Sequence, residues 1–168
     1  MRINYPELKL RGTHIFKLKS NSAIDTVAYG RIFAGVLREK DVVILEGALG
    51  GGKTTFVKGV LGGLGYKKRV LSPSFTLLRQ YELKNLAVYH LDLYRLEFSD
   101  IFDLGIDDFL YSAKIITLIE WGNKMKGEVD KYIKVEFIFS GENIRQLRFS
   151  VKGYPQERLN SIKKAYKV

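Results

Sequence analysis

The stretch Val42–Phe56, VVILEGALGGGKTTF, constrains the fold more than any other part of this sequence. It opens with the apolar run Val42–Leu45, which is typical of a strand covered on both faces in a parallel sheet. A glycine-rich loop follows, and residues Thr54–Leu64 have the pattern of a helix that ends in a cluster of glycines. A buried strand, a loop and a helix in this order predict an α/β fold.

The loop itself carries a binding motif. Residues Gly47–Thr54 fit G-x-x-x-x-G-K-[ST], between strand and helix as that motif requires. Glycines let successive backbone N–H groups turn towards an anion, and the helix N-terminus adds a favourable dipole. Lys53 can reach the outer phosphates of a nucleotide, and the Thr54 hydroxyl can complete a Mg²⁺ shell. The motif predicts a phosphate-binding loop; the alternative, a glycine-rich turn that happens to carry a lysine, is less favoured.

Two acids lie at the carboxyl ends of predicted strands, which is where parallel sheets bind their ligands. Asp92 follows the apolar run Val88–Leu91, and Glu120 follows Ile115–Ile119. Either acid alone could equally be a strand-end residue paired with a neighbour such as Arg95. Because a phosphate-binding loop is present, both are interpreted as ligands of a metal or of an attacking water.

The segment Ser72–Glu82, SPSFTLLRQYE, lies between the loop and the first acid. The hydroxyls of Ser72, Ser74 and Thr76 could contact a γ-phosphate or its metal, as switch segments do. A polar turn before a strand would have the same composition, and the residues alone do not choose between the two.

The remaining pattern predicts a single domain over residues 1–168, without linker or repeat. The first helix, Ser22–Leu37, has Ile24, Val27 and Ala28 on one face. Periodicity predicts a further helix at Ser99–Leu110 and a closing helix after Pro155. It predicts a hairpin of Tyr132–Phe139 with Gln146–Val151. The other predicted strands are Thr13–Leu18, Leu77–Tyr81, Ala87–Leu93 and Ile115–Ile119.

Composition excludes several classes of function. The chain has no cysteine and two histidines, so disulfides and thiol nucleophiles are excluded and any metal is expected to have oxygen ligands. No apolar stretch is long enough for a membrane span, and the protein is expected to be cytoplasmic. The net charge of +10 favours nucleic acid or acidic partners, although a lysine-rich solvated surface explains it slightly better.

Five motifs, taken in order, resemble those of the bacterial TsaE (YjeE) family. They are GALGGGKTTFVKGVLGGLG, SPSFTL, YHLDLYRL, the Leu104-Gly105 pair and IEWG, spread from about residue 20 to residue 125. That family consists of small P-loop ATPases required for the threonylcarbamoyl modification of the adenosine beside the tRNA anticodon. The resemblance implies ATP and Mg²⁺ as ligands and TsaB and TsaD as partners, whose complex the hydrolysis cycle resets. It also implies a three-layer P-loop NTPase fold with a mixed, mainly parallel sheet and a C-terminal antiparallel hairpin.

The resemblance also assigns site residues. It implies that Thr54, Asp92 and Glu120 hold Mg²⁺, with Asp92 acting like a Walker B acid and Glu120 at the metal or the attacking water. Thr76 would sense the γ-phosphate, and Trp121 would lie close to the nucleotide. Which acid contacts Mg²⁺ directly is left open. The residues implied to cradle the phosphates are Gly47, Ala48, Leu49, Gly50, Gly51, Gly52, Lys53, Thr54 and Thr55.

This sequence departs from the family pattern at a few positions. Ala48 and Gly51 replace the acid and the alanine of GDLGAGKTT, Ser74 replaces a threonine, and Gly122 stands where proline or alanine is common. None of these changes removes Lys53, so the departures leave the family resemblance intact and the hydrolysis rate open.

Three other functions compete with a slow ATPase. A GTPase would need N-K-x-D, but the nearest text, Asn123–Lys126, ends in lysine. A small-molecule P-loop kinase would need an arginine-rich lid, and no insertion supplies one. A basic binding module would explain the charge but not the loop. No arginine is placed as an internal finger, whose absence costs about 10³ to 10⁵ in rate, so the isolated chain is expected to be slow.

Overall fold

The computed structural model describes residues 15–97, 100–101, 105–106, 110–125 and 127–167. A 3₁₀ turn covers Gly122–Met125. The helices described are α1 (Ala23–Ala34), α2 (Lys53–Gly63) and α3 (Gln156–Ala165). The strands are β1 (Phe16–Ser20), β2 (Val42–Gly47), β3 (Leu78–Glu82), β4 (Ala87–Asp92), β5 (Ile115–Glu120), β6 (Tyr132–Phe139) and β7 (Arg145–Lys152).

These strands form one sheet in the order β1-β7-β6-β2-β5-β4-β3. The central neighbours β6, β2, β5 and β4 pair in parallel, while β1, β7 and β3 join through antiparallel pairs. Strands β1, β2, β4, β5 and β6 therefore share one direction. This confirms the mixed, mainly parallel sheet and the C-terminal hairpin, in which Tyr132 pairs with Lys152 and Phe139 with Arg145.

The parallel register brings the functional residues to one edge. Leu45 of β2 pairs with Glu120 of β5, and Asp92 of β4 pairs with the same Glu120. The glycine-rich loop leaves β2 two residues later, at the same ends of the strands. Since ligands of parallel sheets bind at the carboxyl ends of the strands, the sheet itself assembles the site.

Apolar side chains cover both faces of the sheet, which makes the fold three-layered. On one face, Phe33 of α1, Phe56 of α2 and Leu159 of α3 belong to the main core with residues of the central strands. On the other face, a smaller cluster contains Leu91 and Ile119 of the sheet together with Ile101, Ile106, Leu110, Met125 and Val129. Within the part of the chain described, no helix is long and apolar enough to cross a membrane.

The buried face of α1 is not the face with Ile24, Val27 and Ala28 that the sequence predicts. Ile24 is 80% exposed and Ala28 is also exposed, whereas the buried residues are Thr26, Gly30, Phe33 and Ala34. The reason is close packing between α1 and α2: a Cβ added at Gly30 would overlap the backbone of Phe56, and one added at Gly59 would overlap that of Val27. Small residues therefore select the buried face.

Most predicted elements are present within a few residues of their predicted bounds. The first helix ends at Ala34, three residues before the predicted Leu37. Residues 13 and 14 of the first predicted strand lie outside the described residues, and the strand there runs over Phe16–Ser20. Most of the helix predicted at Ser99–Leu110 lies outside the described residues, as do most of Asp103–Gly105; positions 100 and 101 are helical.

Candidate functional site

The loop between β2 and α2 is shaped by glycines with backbone angles that other residues rarely adopt. Gly47 and Gly52 have φ values of 139° and 104°. A Cβ at Gly47 would also lie 2.5 Å from the carbonyl oxygen of Phe137 in the neighbouring strand. Gly52 is the N-cap of α2 and offers no side-chain hydrogen bond to the helix. The first N–H groups of α2 therefore have no side-chain cap and are suited to bind an anion.

Lys53 is held within this loop. Its Nζ donates hydrogen bonds to the carbonyl oxygens of Gly47, at 2.7 Å, and Ala48, at 3.0 Å. The ammonium also lies 4.3 Å from the centroid of the Trp121 ring, and the residue is 4% exposed. Burial lowers the pKa of Lys53 below its usual value, while the nearby carboxylates of Glu120 and Asp92 act to raise it. A bound phosphate would offset the cost of burying this cation.

The two predicted acids have different partners. Glu120 Oε1 accepts a hydrogen bond from Thr54 Oγ1 at 2.7 Å and lies 2.9 Å from His90 Nε2. Asp92 accepts hydrogen bonds from the hydroxyl of Ser74 and from the backbone N–H of Tyr94. The acid that contacts the loop threonine is thus Glu120, because β5 lies directly beside β2 and β4 lies one strand further out.

The donor set fits a hard cation. Asp92 and Glu120 are 4% and 3% exposed, and neither forms an ion pair with a lysine or arginine among the described residues. Hydroxyl and carboxylate oxygens are the ligands that Mg²⁺ prefers. No group of three or more His, Cys, Asp or Glu side chains in the described ranges is arranged to hold a metal by itself. The oxygen ligands present thus fit a Mg²⁺ ion that is bound together with nucleotide phosphates and waters.

The predicted residues largely share one pocket of about 220 Å³. Gly47 and Ala48 do not line it, but their carbonyl oxygens accept the hydrogen bonds of Lys53. Thr76 is not among its lining residues; the side chain is exposed, with its hydroxyl 3.5 Å from the Pro73 carbonyl oxygen. The lining residues are Leu49, Gly50, Gly51, Gly52, Lys53, Thr54, Thr55, Ser72, Ser74, Asp92, Tyr94, Glu120 and Trp121.

Two residues at the site were not predicted. Tyr94 lines the pocket, and its ring centroid lies 5.0 Å from that of Trp121. His90 is fully buried against Glu120. A signal for His90 was present in the sequence: residues two apart in a strand point to the same face, so His90 and Asp92 share one. Ser74 was one of three hydroxyls left open, and it is the one that contacts Asp92.

Two non-glycine residues beside the pocket adopt the left-handed conformation. Leu77, directly after Thr76, has φ of 62°, and Trp121, directly after Glu120, has φ of 61°. Such residues cost about 1–3 kcal/mol each and cluster at functional sites. The backbone N–H of Trp121 donates to the carbonyl oxygen of Leu45 at 3.0 Å, which ties the turn to the loop strand. At Gly122, a Cβ would lie 2.7 Å from Ile44 Cγ2, which accounts for the glycine there.

The sheet order, the glycine loop at the end of its central strand and the acids beside it define a protein of the P-loop α/β class. Comparison with known families is more specific. The family model "Threonylcarbamoyl adenosine biosynthesis protein TsaE" matches residues 20–147, so the chain belongs to the TsaE family. The resemblance predicted from the motifs is confirmed.

Relatives and a solved structure agree with this assignment. The tRNA threonylcarbamoyladenosine biosynthesis protein TsaE of Treponema pallidum (strain Nichols) is 43% identical over 114 residues, which are 67% of this chain and 83% of that protein. The protein of the same name from Bacillus subtilis (strain 168) is 34% identical over 136 residues, covering 80% and 85%. A crystal structure of Bacillus subtilis YdiB superposes with a TM-score of 0.79 at 26% identity, covering 92% of this chain and 97% of that one.

Proposed function

We propose that this protein binds and slowly hydrolyses Mg·ATP as a nucleotide switch in the cytoplasmic threonylcarbamoyl modification of tRNA. Its family works in tRNA threonylcarbamoyladenosine biosynthesis. The observation that carries the proposal is the arrangement in one pocket of a buried Lys53, the Thr54–Glu120 hydrogen bond and the Asp92 carboxylate. Nothing in a structural core requires that combination.

Each residue has a role in this proposal. The loop N–H groups and Lys53 bind the phosphates, and Trp121, which lines the pocket, lies beside them. Thr54, Asp92 and Glu120 would hold Mg²⁺, which neutralises phosphate charge when it is bound. Glu120 orients the attacking water or the metal shell. Thr76 lies outside the pocket lining, so a role for it in sensing the γ-phosphate requires the Ser72–Leu77 segment to move.

The pocket also supports dependence on partners. No arginine is among its lining residues in the described part of the chain. Lys53 is then the only basic side chain lining it there, and the charge that develops on the transferring phosphoryl group is incompletely balanced. We infer that TsaB and TsaD complete the site when they bind, and that hydrolysis resets their complex.

The test is phosphate release from Mg·ATP by the purified chain, alone and with TsaB and TsaD, with Lys53→Ala as the blank. Slow turnover that the partners stimulate, and that Lys53→Ala abolishes, is the expected result. Fast turnover by the isolated chain would contradict the switch role. An absence of stimulation would direct the search to a phosphoryl acceptor, as the P-loop kinase alternative requires.

A second part of the proposal concerns tRNA. On the sheet face opposite α1, α2 and α3 lie five basic residues, which we call the basic sheet face: Lys17, Lys19, Lys134, Arg148 and Lys152. Lys134 and Arg148 are paired with Glu46 and Glu136, but Lys17 and Lys19 are exposed and form no ion pair within the described ranges. This charge distribution supports a direct contact with the tRNA backbone.

A further inference from the structure

His90 is a buried polar residue that the proposed roles do not use. It lies in β4, directly before Leu91, and its side chain has no exposed surface. Its Nε2 lies 2.9 Å from Glu120 Oε1, the same oxygen that accepts the Thr54 hydroxyl at 2.7 Å. A carboxylate can only accept hydrogen bonds, so in this contact the hydrogen is expected on Nε2. Its other nitrogen, Nδ1, is buried and has no hydrogen-bond partner among the described residues.

The ring has little freedom to leave this position. The Tyr81 ring lies 6.4 Å from the His90 ring, and the Tyr81 hydroxyl donates to the carbonyl oxygen of Leu71 at 2.9 Å. The Tyr66 ring also packs against Tyr81 in a T-shaped arrangement, with the ring centroids 5.0 Å apart. The imidazole is thus placed by packing, and its one hydrogen bond among the described residues is with Glu120.

We propose that His90 is a positioning residue that fixes the orientation of the Glu120 carboxylate. The hydrogen bonds from His90 and Thr54 converge on Oε1, which leaves Oε2 to act in the pocket. Thr54 is in the first turn of α2, where a bound phosphate and cation would compete for its hydroxyl, whereas His90 lies in strand β4 of the sheet. His90 is therefore the partner that holds Glu120 throughout the nucleotide cycle. This inference rests on the proposed Mg·ATP function, because it concerns the acid that serves that function.

The first test needs neither metal nor nucleotide. The chain has two histidines, so in a His14→Gln background the imidazole ¹⁵N signals belong to His90 alone. Two-bond ¹H–¹⁵N correlation spectra are expected to show the Nε2–H tautomer, and Glu120→Gln is expected to shift the Nε2 signal. The Nδ1–H tautomer, or an Nε2 signal that Glu120→Gln leaves unmoved, would overturn the proposal.

The second test compares two substitutions that place their donors differently. The amide nitrogen of a glutamine at position 90 can occupy the place of Nε2, whereas that of an asparagine falls short of it. Trp121 is the single tryptophan and lines the pocket, so its fluorescence reports ATP binding. His90→Asn is expected to leave ATP affinity in EDTA within about twofold of wild type and to reduce the Mg²⁺-dependent part of the affinity, and kcat, about tenfold or more. His90→Gln is expected to restore most of both.

The outcomes are separable. Equal losses of ATP affinity with and without Mg²⁺, or equal behaviour of His90→Gln and His90→Asn, would reduce His90 to a structural residue and overturn the proposal. If wild-type protein itself binds no ATP, with Lys53→Ala as the reference, the proposed function fails, while the ¹⁵N spectra still decide whether His90 holds Glu120. Thermal unfolding of each variant checks that a loss is not caused by misfolding.

Discussion

Lys53 is the residue at which burial and function conflict most directly. A lysine that is 4% exposed is usually paired with an acid, but among the described residues this ammonium contacts only two carbonyl oxygens and an aromatic ring. The native state without nucleotide therefore holds a cation at an energetic cost. Such a site favours whatever brings negative charge to it, which is the property that a phosphate-binding loop requires.

The pKa of Lys53 gives a prediction about stability. Burial lowers this pKa from 10.5, so between the lowered pKa and 10.5 the unfolded chain binds more protons at this residue than the native chain does. Stability then rises with pH in that window. Relative to Lys53→Met, which has no such group, the nucleotide-free wild type is expected to gain stability as pH is raised from 7 towards 10.

Urea unfolding of both proteins across this pH range measures the effect. All other lysines and tyrosines are present in both proteins, so the difference between the two curves isolates Lys53. Curves that stay parallel would show that Lys53 has an ordinary pKa in the native state.

At the scale of the element, α2 is positioned by close backbone contact with α1. A Cβ at Gly59 would overlap the backbone oxygen of Val27, so Gly59→Ala must push the helices apart. The expected cost is about 1–3 kcal/mol, as for other overpacked sites. Because α2 begins at Lys53, we also expect ATP affinity to fall.

Gly62 of the same helix is the matched control. The nearest atom to a Cβ there is Arg31 Nε at 3.6 Å, an ordinary contact. Gly62→Ala is expected to be neutral or to stabilise the protein by up to about 1 kcal/mol through helix propensity. Chemical denaturation of the two variants makes the comparison, and equal effects would rule out the close contact as the cause.

A buried ion pair connects α3 to the start of β2. Arg158 donates to the carboxylate of Asp41 and to the carbonyl oxygen of Val36, and the Tyr154 hydroxyl donates to Asp41 at 2.7 Å. Burial, followed by the hydrogen bond to Asp41, raises the pKa of Tyr154, so this hydroxyl stays a donor at neutral pH. Arg158→Met leaves a buried carboxylate without its cation.

That substitution is expected to destabilise the protein by about 3–5 kcal/mol, whereas the double variant Arg158→Met with Asp41→Asn is expected to recover part of the loss. Equilibrium unfolding of the two single variants and of the double variant forms a mutant cycle. Additive effects would show that the pair is not coupled.

The elements that could be predicted are those with a local signal. The run Val42–Leu45 before a glycine loop, and the alternation in Tyr132–Phe139, each determine a strand from a few residues. The buried face of α1 could not be predicted in this way, because its contact depends on glycines rather than on large apolar residues. The placement of β1 beside β7 is a long-range pairing between the two ends of the described chain, which no local pattern encodes.

The candidate site also combines residues that a local sequence signal predicts with residues that depend on long-range contacts. Lys53 and Thr54 are fixed by a motif that acts through local backbone geometry. The choice of Glu120 over Asp92 as the partner of Thr54 depends on which strand neighbours β2, and strand order is a property of the assembled sheet. His90 could have been predicted from strand alternation alone, because it lies two residues before Asp92 in β4 and therefore on the same face of the sheet.

At the scale of the whole molecule, charge is divided between the two faces of the sheet. Lys17 and Lys19 lie on the basic sheet face, whereas Lys163 and Lys164 are exposed on α3, which packs on the opposite face. A tRNA bound through its phosphates releases counterions for each lysine that contacts it, so binding weakens with salt in proportion to the number of contacts. The two pairs carry the same charge and lie on opposite faces of the sheet.

This gives the prediction that separates a specific surface from general basicity. Lys17→Ser with Lys19→Ser is expected to weaken tRNA binding and to reduce the slope of log Kd against log salt by about one per lysine. Lys163→Ser with Lys164→Ser, which changes the net charge equally, is expected to leave both quantities close to wild type. Filter binding or fluorescence anisotropy between 50 and 200 mM salt, roughly the range in which such slopes are resolved, makes the measurement. Equal losses from both pairs would mean that net charge alone attracts tRNA, and no loss from either would assign the basic sheet face to an acidic protein surface instead.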